Sequence, residues 1–187
     1  MAGELDGRRV AIIATNGVEQ AELEQPRSAV DGAGARSTLI SLSTDPIQAM
    51  NSDIDKGDTF TPDAAISDVS ADDFDALVLP GGTINADQLR QSGDVVSFVQ
   101  AIFAAGKPVG AICHAPWTLG EADLVRGRTL TSYPSLRTDI RNAGGTVVDE
   151  EVVTDHGLVS SRNPDDLPAF CATIVEEFAE GAHRTTA

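Results

Sequence analysis

Lysine, aromatic residues and cysteine are all scarce in this chain of 187 residues. Lys56 and Lys107 are the two lysines among 13 basic residues, and the 29 acidic residues bring the formal net charge to −16. A protein that binds nucleic acid needs a basic surface to neutralise phosphates, so this balance argues against nucleic acid as a partner. An anionic membrane surface is disfavoured for the same reason.

Long apolar runs are also missing from the sequence. No run approaches the roughly 20 residues of a membrane-spanning helix, and the first residues lack the pattern of a secretory signal, so we expect a cytoplasmic protein. Two cysteines, Cys113 and Cys171, are too few for a disulfide framework, and no Cys/His spacing predicts a zinc site. We expect no metal and no cofactor, and a lone thiol stays free in a reducing cytoplasm.

The apolar residues occur in strand-like runs that alternate with helix-like segments. Runs at 8–15, 36–42, 73–80 and 109–112 predict buried strands, and segments such as 18–33, 93–105 and 167–179 predict helices. This alternation predicts an α/β fold with a doubly wound, mostly parallel sheet sandwiched by helices.

Two regions depart from that alternation. The polar stretch 43–70 predicts a strand pair or hairpin instead of a helix. Residues 1–7 and 181–187 are expected to be flexible ends of a single domain that spans residues 1–187.

The most informative stretch is 107–117, with the sequence Lys-Pro-Val-Gly-Ala-Ile-Cys-His-Ala-Pro-Trp. It predicts a buried strand that ends at Cys113 and turns directly into a helix, whose N-terminus would favour a thiolate. Ala111 and Ala115 lie two positions either side of the cysteine, as the small residues of a nucleophile elbow do. A free cysteine on a buried strand is otherwise a small hydrophobe. The elbow pattern favours a nucleophile at Cys113, whereas Cys171, in an apolar helix, is expected to be structural.

Other polar features fall at the same carboxyl edge of the sheet, where ligands bind in open α/β folds. His114 is either the base for Cys113 or only a backbone N–H donor, because consecutive helical residues do not face each other. Gly82, in Pro-Gly-Gly at 80–82, forms either an oxyanion hole with the His114 amide or a simple tight turn. Glu19, with Glu22 one helical turn later, either orients the thiol or is an ordinary first-turn acid.

These motifs together resemble the PfpI (intracellular protease I) family of the ThiJ/PfpI, class I glutamine-amidotransferase-like superfamily. Ala-Ile-Cys-His-Ala-Pro at 111–116 is similar to the A-I-C-H-G-P elbow of that family, and Asn-Gly-Val-Glu-Gln-Ala-Glu-Leu at 16–23 to its D-G-F-E-x-x-E-L. Further similar segments cover nearly the whole chain, at 73–82, 106–109, 124–128, 131–134, 142–144 and 160–162.

The resemblance implies a flavodoxin-like fold and a reactive Cys113 whose thiol is hydrogen-bonded by Glu19. It places the amides of Gly82 and His114 in the anion pocket. It also implies a homo-oligomer, because in members described as proteases a neighbouring subunit supplies the acid that completes the Cys–His pair. Asp87 is the counterpart of that acid, so the expected catalytic residues are Cys113, His114, Glu19 and Asp87.

The activity implied by the resemblance is that of a cysteine-dependent hydrolase. It is either a stress-related deglycase acting on small carbonyls or glycated proteins, or an intracellular peptidase. The alternative is a redox-sensing or chaperone-like stress protein, because accessible thiolates oxidise to sulfenic and sulfinic acids. A glutamine-hydrolysing amidotransferase ranks last, since no His-x-Glu pair follows Cys113 at the end of a later strand.

Overall fold

The structure, a computed structural model, describes residues 3–183. Its strands are β1 (Arg9–Ile13), β2 (Arg36–Ser41), β3 (Ile47–Asn51), β4 (Asp55–Phe60), β5 (Ala64–Ala65), β6 (Ala76–Leu79), β7 (Val109–Ile112), β8 (Thr129–Leu130), β9 (Thr146–Val147), β10 (Val153–Asp155) and β11 (Leu158–Ser161). Its helices are α1 (Gln20–Gly32), α2 (Thr83–Arg90), α3 (Gly93–Ala104), α4 (Pro116–Glu121), α5 (Arg137–Asn142) and α6 (Leu167–Glu180). No helix of this described part is long and apolar enough to cross a membrane.

The central sheet has seven strands in the order β10-β11-β7-β6-β1-β2-β5. Neighbouring strands pair in parallel, except that β10 runs antiparallel to β11 at one edge. Helices cover both faces, which confirms the predicted flavodoxin-like α/β fold.

The two faces of the sheet belong to two hydrophobic clusters, as the alternation of side chains along a strand requires. In β1, Val10 and Ile12 pack with α1 and α6, whereas Ala11 and Ile13 pack with the layer of α2, α3, α4 and α5. Because both faces are covered, each central strand is a continuous apolar run, and this is why the strands could be recognised in the sequence.

The polar stretch 43–70 contains the predicted hairpin, formed by β3 and β4 as a separate antiparallel pair. Its turn residues Ser52 and Asp53 have left-handed backbones, with φ of 56° and 61°. The Met50 N–H donates to the Val18 carbonyl at 2.8 Å, and the Gly17 N–H donates to Gln48 at 2.8 Å. These bonds hold the hairpin against the segment between β1 and α1, at the carboxyl edge of the sheet.

At the N-terminal end, the structure differs from the expected flexible segment 1–7. Leu5 is fully buried, and its N–H donates to the Ala33 carbonyl at 2.9 Å. At the other end, the His183 N–H donates to the Gly106 carbonyl at 2.8 Å. The remainder of the prediction, for residues 1–2 and 184–187, lies outside the described residues.

Gly110 in β7 offers a test of the packing between the sheet and α6. A Cβ at this position would lie 2.7 Å from Ile174 Cγ2 and 3.0 Å from Phe170 Cζ, so Gly110→Ala should overpack this layer. We expect the free energy of unfolding in urea to fall by about 1–3 kcal/mol. Gly120→Ala in α4 is the matched control, because its Cβ meets no atom within 4 Å, and it should leave stability equal or higher. Equal stability of the two variants would contradict this packing.

Candidate active site

Cys113 lies at a sharp turn directly after β7, with a left-handed backbone at φ 63°. Such a conformation costs a non-glycine residue about 1–2 kcal/mol, and its neighbours hold it in place. The Cys113 N–H donates to the Ser161 carbonyl at 3.0 Å, and its carbonyl accepts from the Tyr133 N–H at 2.9 Å. This is the strand-to-turn geometry that the small residues around Cys113 predict, and it directs the side chain away from the regular helix.

Glu22 is the carboxyl group beside the thiol. It is fully buried in the first turn of α1, and its Oε2 accepts from the Gly81 N–H at 2.8 Å. Its Oε1 is also buried and has no hydrogen-bond partner within residues 3–183, and the carboxyl lies beside the Cys113 side chain. Burial, reinforced by the nearby charge of Glu19, raises the pKa of Glu22 to about 8. The carboxyl is therefore protonated at neutral pH and can donate to the sulfur.

Glu19 does not take the position that the family resemblance implies. Its carboxylate accepts from the backbone N–H groups of Ser52, at 3.1 Å, and Asp53, at 3.4 Å. The reason is that α1 begins at Gln20, so Glu19 precedes the helix and turns toward the hairpin, whereas Glu22 faces the end of the sheet. The structure thus corrects the assignment: Glu22 pairs with the thiol, and Glu19 holds the hairpin turn.

The thiol itself is buried, with 5% of Cys113 exposed. Burial raises the pKa of Cys113 well above its ordinary value, the neighbouring Glu22 carboxyl raises it further, and the nearby Gly82 N–H opposes that rise. The N-terminus of a helix does not stabilise the thiolate of Cys113 as expected, because α4 begins at Pro116 and not at the cysteine. The resting residue is consequently a thiol whose ionisation depends on the groups around it.

The two predicted amide donors differ in their surroundings. The N–H of Gly82 is close enough to Cys113 to lower the pKa of its thiol, and the N–H of His114 makes no hydrogen bond within residues 3–183. Gly82 has φ 96°, and a Cβ there would lie 2.2 Å from the Gly17 carbonyl oxygen. Only glycine fits this position, so its amide can approach the reacting atoms closely.

His114 faces Cys113 although the two are adjacent in sequence. Its Nδ1 lies 3.1 Å from the Cys113 sulfur, which is achieved because Cys113 has a left-handed and not a helical backbone. The ring stacks on Tyr133 at 4.5 Å between centroids and contacts the edge of Trp117 at 5.4 Å. Burial lowers the pKa of His114, so the imidazole is neutral at pH 7 and suited to accept a proton.

Two polar residues at this site were missed by the sequence reasoning. The Nε2 of His114 lies 3.1 Å from the Thr83 hydroxyl, and that hydroxyl is 2.9 Å from Asp53 Oδ2. The Thr83 N–H also donates to Asp53 Oδ1 at 2.9 Å. No local pattern marks Asp53, because it lies in a polar hairpin 30 residues before Thr83.

Asp87 lies on the exposed side of α2, where its carboxylate accepts from Gln91 Nε2 at 3.2 Å. Within residues 3–183 it makes no hydrogen bond to His114 or Cys113. Its role in a neighbouring subunit stays a prediction, and so does the homo-oligomer.

A cavity of about 190 Å³ opens onto the thiol. Its lining combines the sulfur, three carboxyl groups and an aromatic ring, from Glu19, Glu22, Ser52, Asp53, Gly82, Cys113, Tyr133 and Pro164. The cluster best suited to a metal within residues 3–183 is Glu177, Glu180 and His183, which lies near Gly106 at the opposite end of β7. No atom of that cluster lines the cavity.

Comparisons with known proteins agree with this geometry. General stress protein 18 of Bacillus subtilis is 41% identical over 174 residues, which cover 88% of this chain and 94% of that protein. Putative cysteine protease YraA of Bacillus subtilis is 41% identical over 164 residues, covering 87% of this chain and 94% of that protein. The crystal structure of Drosophila melanogaster DJ-1beta is similar with a TM-score of 0.84 and 29% identity, covering 92% of this chain and 90% of that one. The model of the DJ-1/PfpI family matches residues 8–177, and the chain belongs to that family.

Proposed function

We propose that the protein is a cysteine-dependent hydrolase that acts on small carbonyl adducts, a deglycase-type activity. The proposal rests on the groups that surround Cys113. They are a neutral imidazole at 3.1 Å from the sulfur, a protonated carboxyl and two backbone N–H donors. A nucleophile with a base in hydrogen-bond reach and donors for the developing oxyanion is the arrangement that acyl-transfer chemistry requires.

In the first step, the Cys113 sulfur adds to the carbonyl carbon while its proton passes to His114 Nδ1. The carbonyl oxygen becomes an oxyanion that accepts hydrogen bonds from the N–H groups of Gly82 and His114. Glu22, neutral at pH 7, lies beside the sulfur without placing a negative charge next to the developing thiolate. The intermediate then breaks its bond to the adducted group, which leaves with the proton from His114. A water molecule that gives its proton to the same imidazole then attacks the carbonyl carbon, cleaves the C–S bond and regenerates the Cys113 thiol.

The size of the site favours a small substrate over a protein segment. A cavity of about 190 Å³ corresponds to about six water molecules in the liquid. A peptidase that binds an extended chain needs a groove or a strand edge on either side of its nucleophile. The nucleophile here is almost completely buried, so a short adduct on a flexible side chain reaches it more readily than a backbone amide.

The names of the relatives support the same general chemistry. One relative is named a putative cysteine protease, and another is named a general stress protein. A cysteine-dependent hydrolase fits the first name, and a stress-related role fits the second. Burial raises the pKa of Cys113 and so lowers the thiolate fraction available to peroxide and to a carbonyl alike, which is why the hydrolase needs His114 to take the thiol proton during attack.

The proposed hydrolase is tested most simply with methylglyoxal adducts of N-acetylated amino acids. Cys113→Ala should lower kcat/KM by at least about 10³-fold, because it removes the nucleophile. Cys171→Ala is the matched control and should stay within about twofold of the wild type, since Cys171 lies half-buried on α6. Undiminished turnover by Cys113→Ala, or turnover of long peptides alone by the wild type, would contradict the proposal.

A second prediction concerns stability and pH. Because burial raises the pKa of Glu22 from 4.5 to about 8, the folded protein binds one more proton than the unfolded chain between these values. The contribution of Glu22 to stability is therefore present at low pH and lost as pH rises toward 8. The free energy of unfolding falls by at most about 5 kcal/mol over this range, because each unit of pKa difference corresponds to about 1.4 kcal/mol.

Urea unfolding at pH 5 and pH 8 measures this effect. In Glu22→Gln, the fall in unfolding free energy between the two pH values should be smaller than in the wild type, because glutamine does not titrate. Glu176→Gln, on the exposed side of α6, should behave like the wild type. The same pH dependence in all three proteins would show that Glu22 is ionised in the folded state.

A further inference from the structure

We propose that Asp53 and Thr83 position His114 as the base for Cys113, and that this array is complete within one chain. The inference rests on the proposed function in that it takes Cys113 as the nucleophile. It goes further by assigning a positioning role to two residues that the sequence did not indicate.

The directions of the hydrogen bonds carry the argument. An ionised carboxylate has only acceptors, so Asp53 Oδ2 receives the single proton of the Thr83 hydroxyl at 2.9 Å. The Thr83 oxygen must then act as acceptor toward His114 Nε2, at 3.1 Å. The proton of the neutral imidazole is thereby fixed on Nε2, and Nδ1 presents a lone pair to the Cys113 sulfur at 3.1 Å.

This is the tautomer that a base for Cys113 needs. The opposite tautomer would carry its proton on Nδ1 and could not accept the thiol proton. The negative charge of Asp53 also raises the pKa of His114, against the larger lowering effect of burial. Asp53 thus stabilises the imidazolium that forms when the thiol ionises, although it touches neither the sulfur nor the imidazole.

The surrounding structure holds this array firmly. Asp53 and Ser52 form a left-handed turn, and the Glu19 carboxylate accepts from both of their N–H groups. Thr83 is the first residue of α2, and Asn85 anchors the start of that helix by donating to the carbonyls of Pro80 and Gly81. Glu19 does not reach the thiol. Its carboxylate instead binds and holds the turn that carries Asp53.

The residues of the array all come from one chain. The hairpin turn carries Asp53, the start of α2 carries Thr83, and the turn after β7 carries Cys113 and His114. Within residues 3–183, the partner of His114 Nε2 is the Thr83 hydroxyl.

The variants separate positioning from a general structural role. Thr83→Val keeps the shape but removes the acceptor for Nε2, whereas Thr83→Ser keeps the hydroxyl. Asp53→Asn offers an N–H donor to the Thr83 oxygen, so the hydroxyl turns its proton toward His114 and forces the opposite tautomer. Asparagine tolerates the left-handed backbone at this turn, so this variant should fold. Asp55→Asn, two residues along the same hairpin and exposed, is the charge-matched control.

The experiment combines ¹⁵N NMR of the histidine ring nitrogens with steady-state kinetics on the carbonyl adducts. We expect the His114 proton on Nε2 in the wild type, Thr83→Ser and Asp55→Asn, and on Nδ1 in Asp53→Asn. We expect kcat/KM to fall about 10²-fold or more in Thr83→Val and Asp53→Asn, mainly through kcat, and to stay within about threefold in the other two.

A mixture of Cys113→Ser chains with Thr83→Val chains tests whether the array acts within one chain. Each chain lacks one residue of the array. If the array acts within one chain, the mixture will be no more active than the two variants measured separately. Activity above that level would overturn the proposal, and so would a wild-type His114 with its proton on Nδ1. The NMR result does not depend on turnover, so failure of the hydrolase proposal and failure of this inference are distinguishable.

Discussion

The carboxyl group of Glu22 is the feature on which the chemistry of the site depends. It lies in the first turn of α1, completely buried beside Cys113, with the Gly81 N–H on one oxygen and no hydrogen-bond partner for the other within residues 3–183. A charged carboxylate here would repel a thiolate and would lack the hydration that stabilises it in water. Keeping the group neutral removes that repulsion, so a carboxyl group can lie beside the nucleophile in this acidic chain.

The second constraint is the left-handed backbone of Cys113. It is fixed through both backbone polar groups, by Ser161 on β11 and by Tyr133 in the segment before α5. That conformation explains how adjacent residues meet, since His114 turns back toward the sulfur only because Cys113 is not helical. The fold therefore supplies the base through backbone geometry, and the cavity, the amides and the hairpin are arranged around this point.

Much of the fold was predictable, for a clear physical reason. Strands such as β1, β6 and β7 are covered on both faces, so they appear as continuous apolar runs between helical segments. The turn at Cys113 was predictable because only small neighbours fit it. The general location of Gly82 followed from its place after a core strand.

The parts that escaped prediction depend on contacts between distant segments. Glu19 and Glu22 are three residues apart, one just before α1 and one in its first turn, and the choice between them depends on where the helix starts and on the hairpin that binds Glu19. Asp53 meets Thr83 across 30 positions of sequence, and nothing local in either segment indicates that contact. The pKa of Cys113 was expected to fall at a helix N-terminus, but α4 starts three residues later and burial raises it instead.

The central claim is that Glu22 keeps its proton beside Cys113 at neutral pH. The most direct test is a ¹³C NMR titration of the glutamate side-chain carboxyl groups, with Glu22 assigned from the signal that Glu22→Gln removes. The account predicts a resonance that titrates with a midpoint near the raised pKa of about 8. A midpoint near the ordinary pKa of 4.5 would show an ionised carboxylate beside the thiol and would contradict the account.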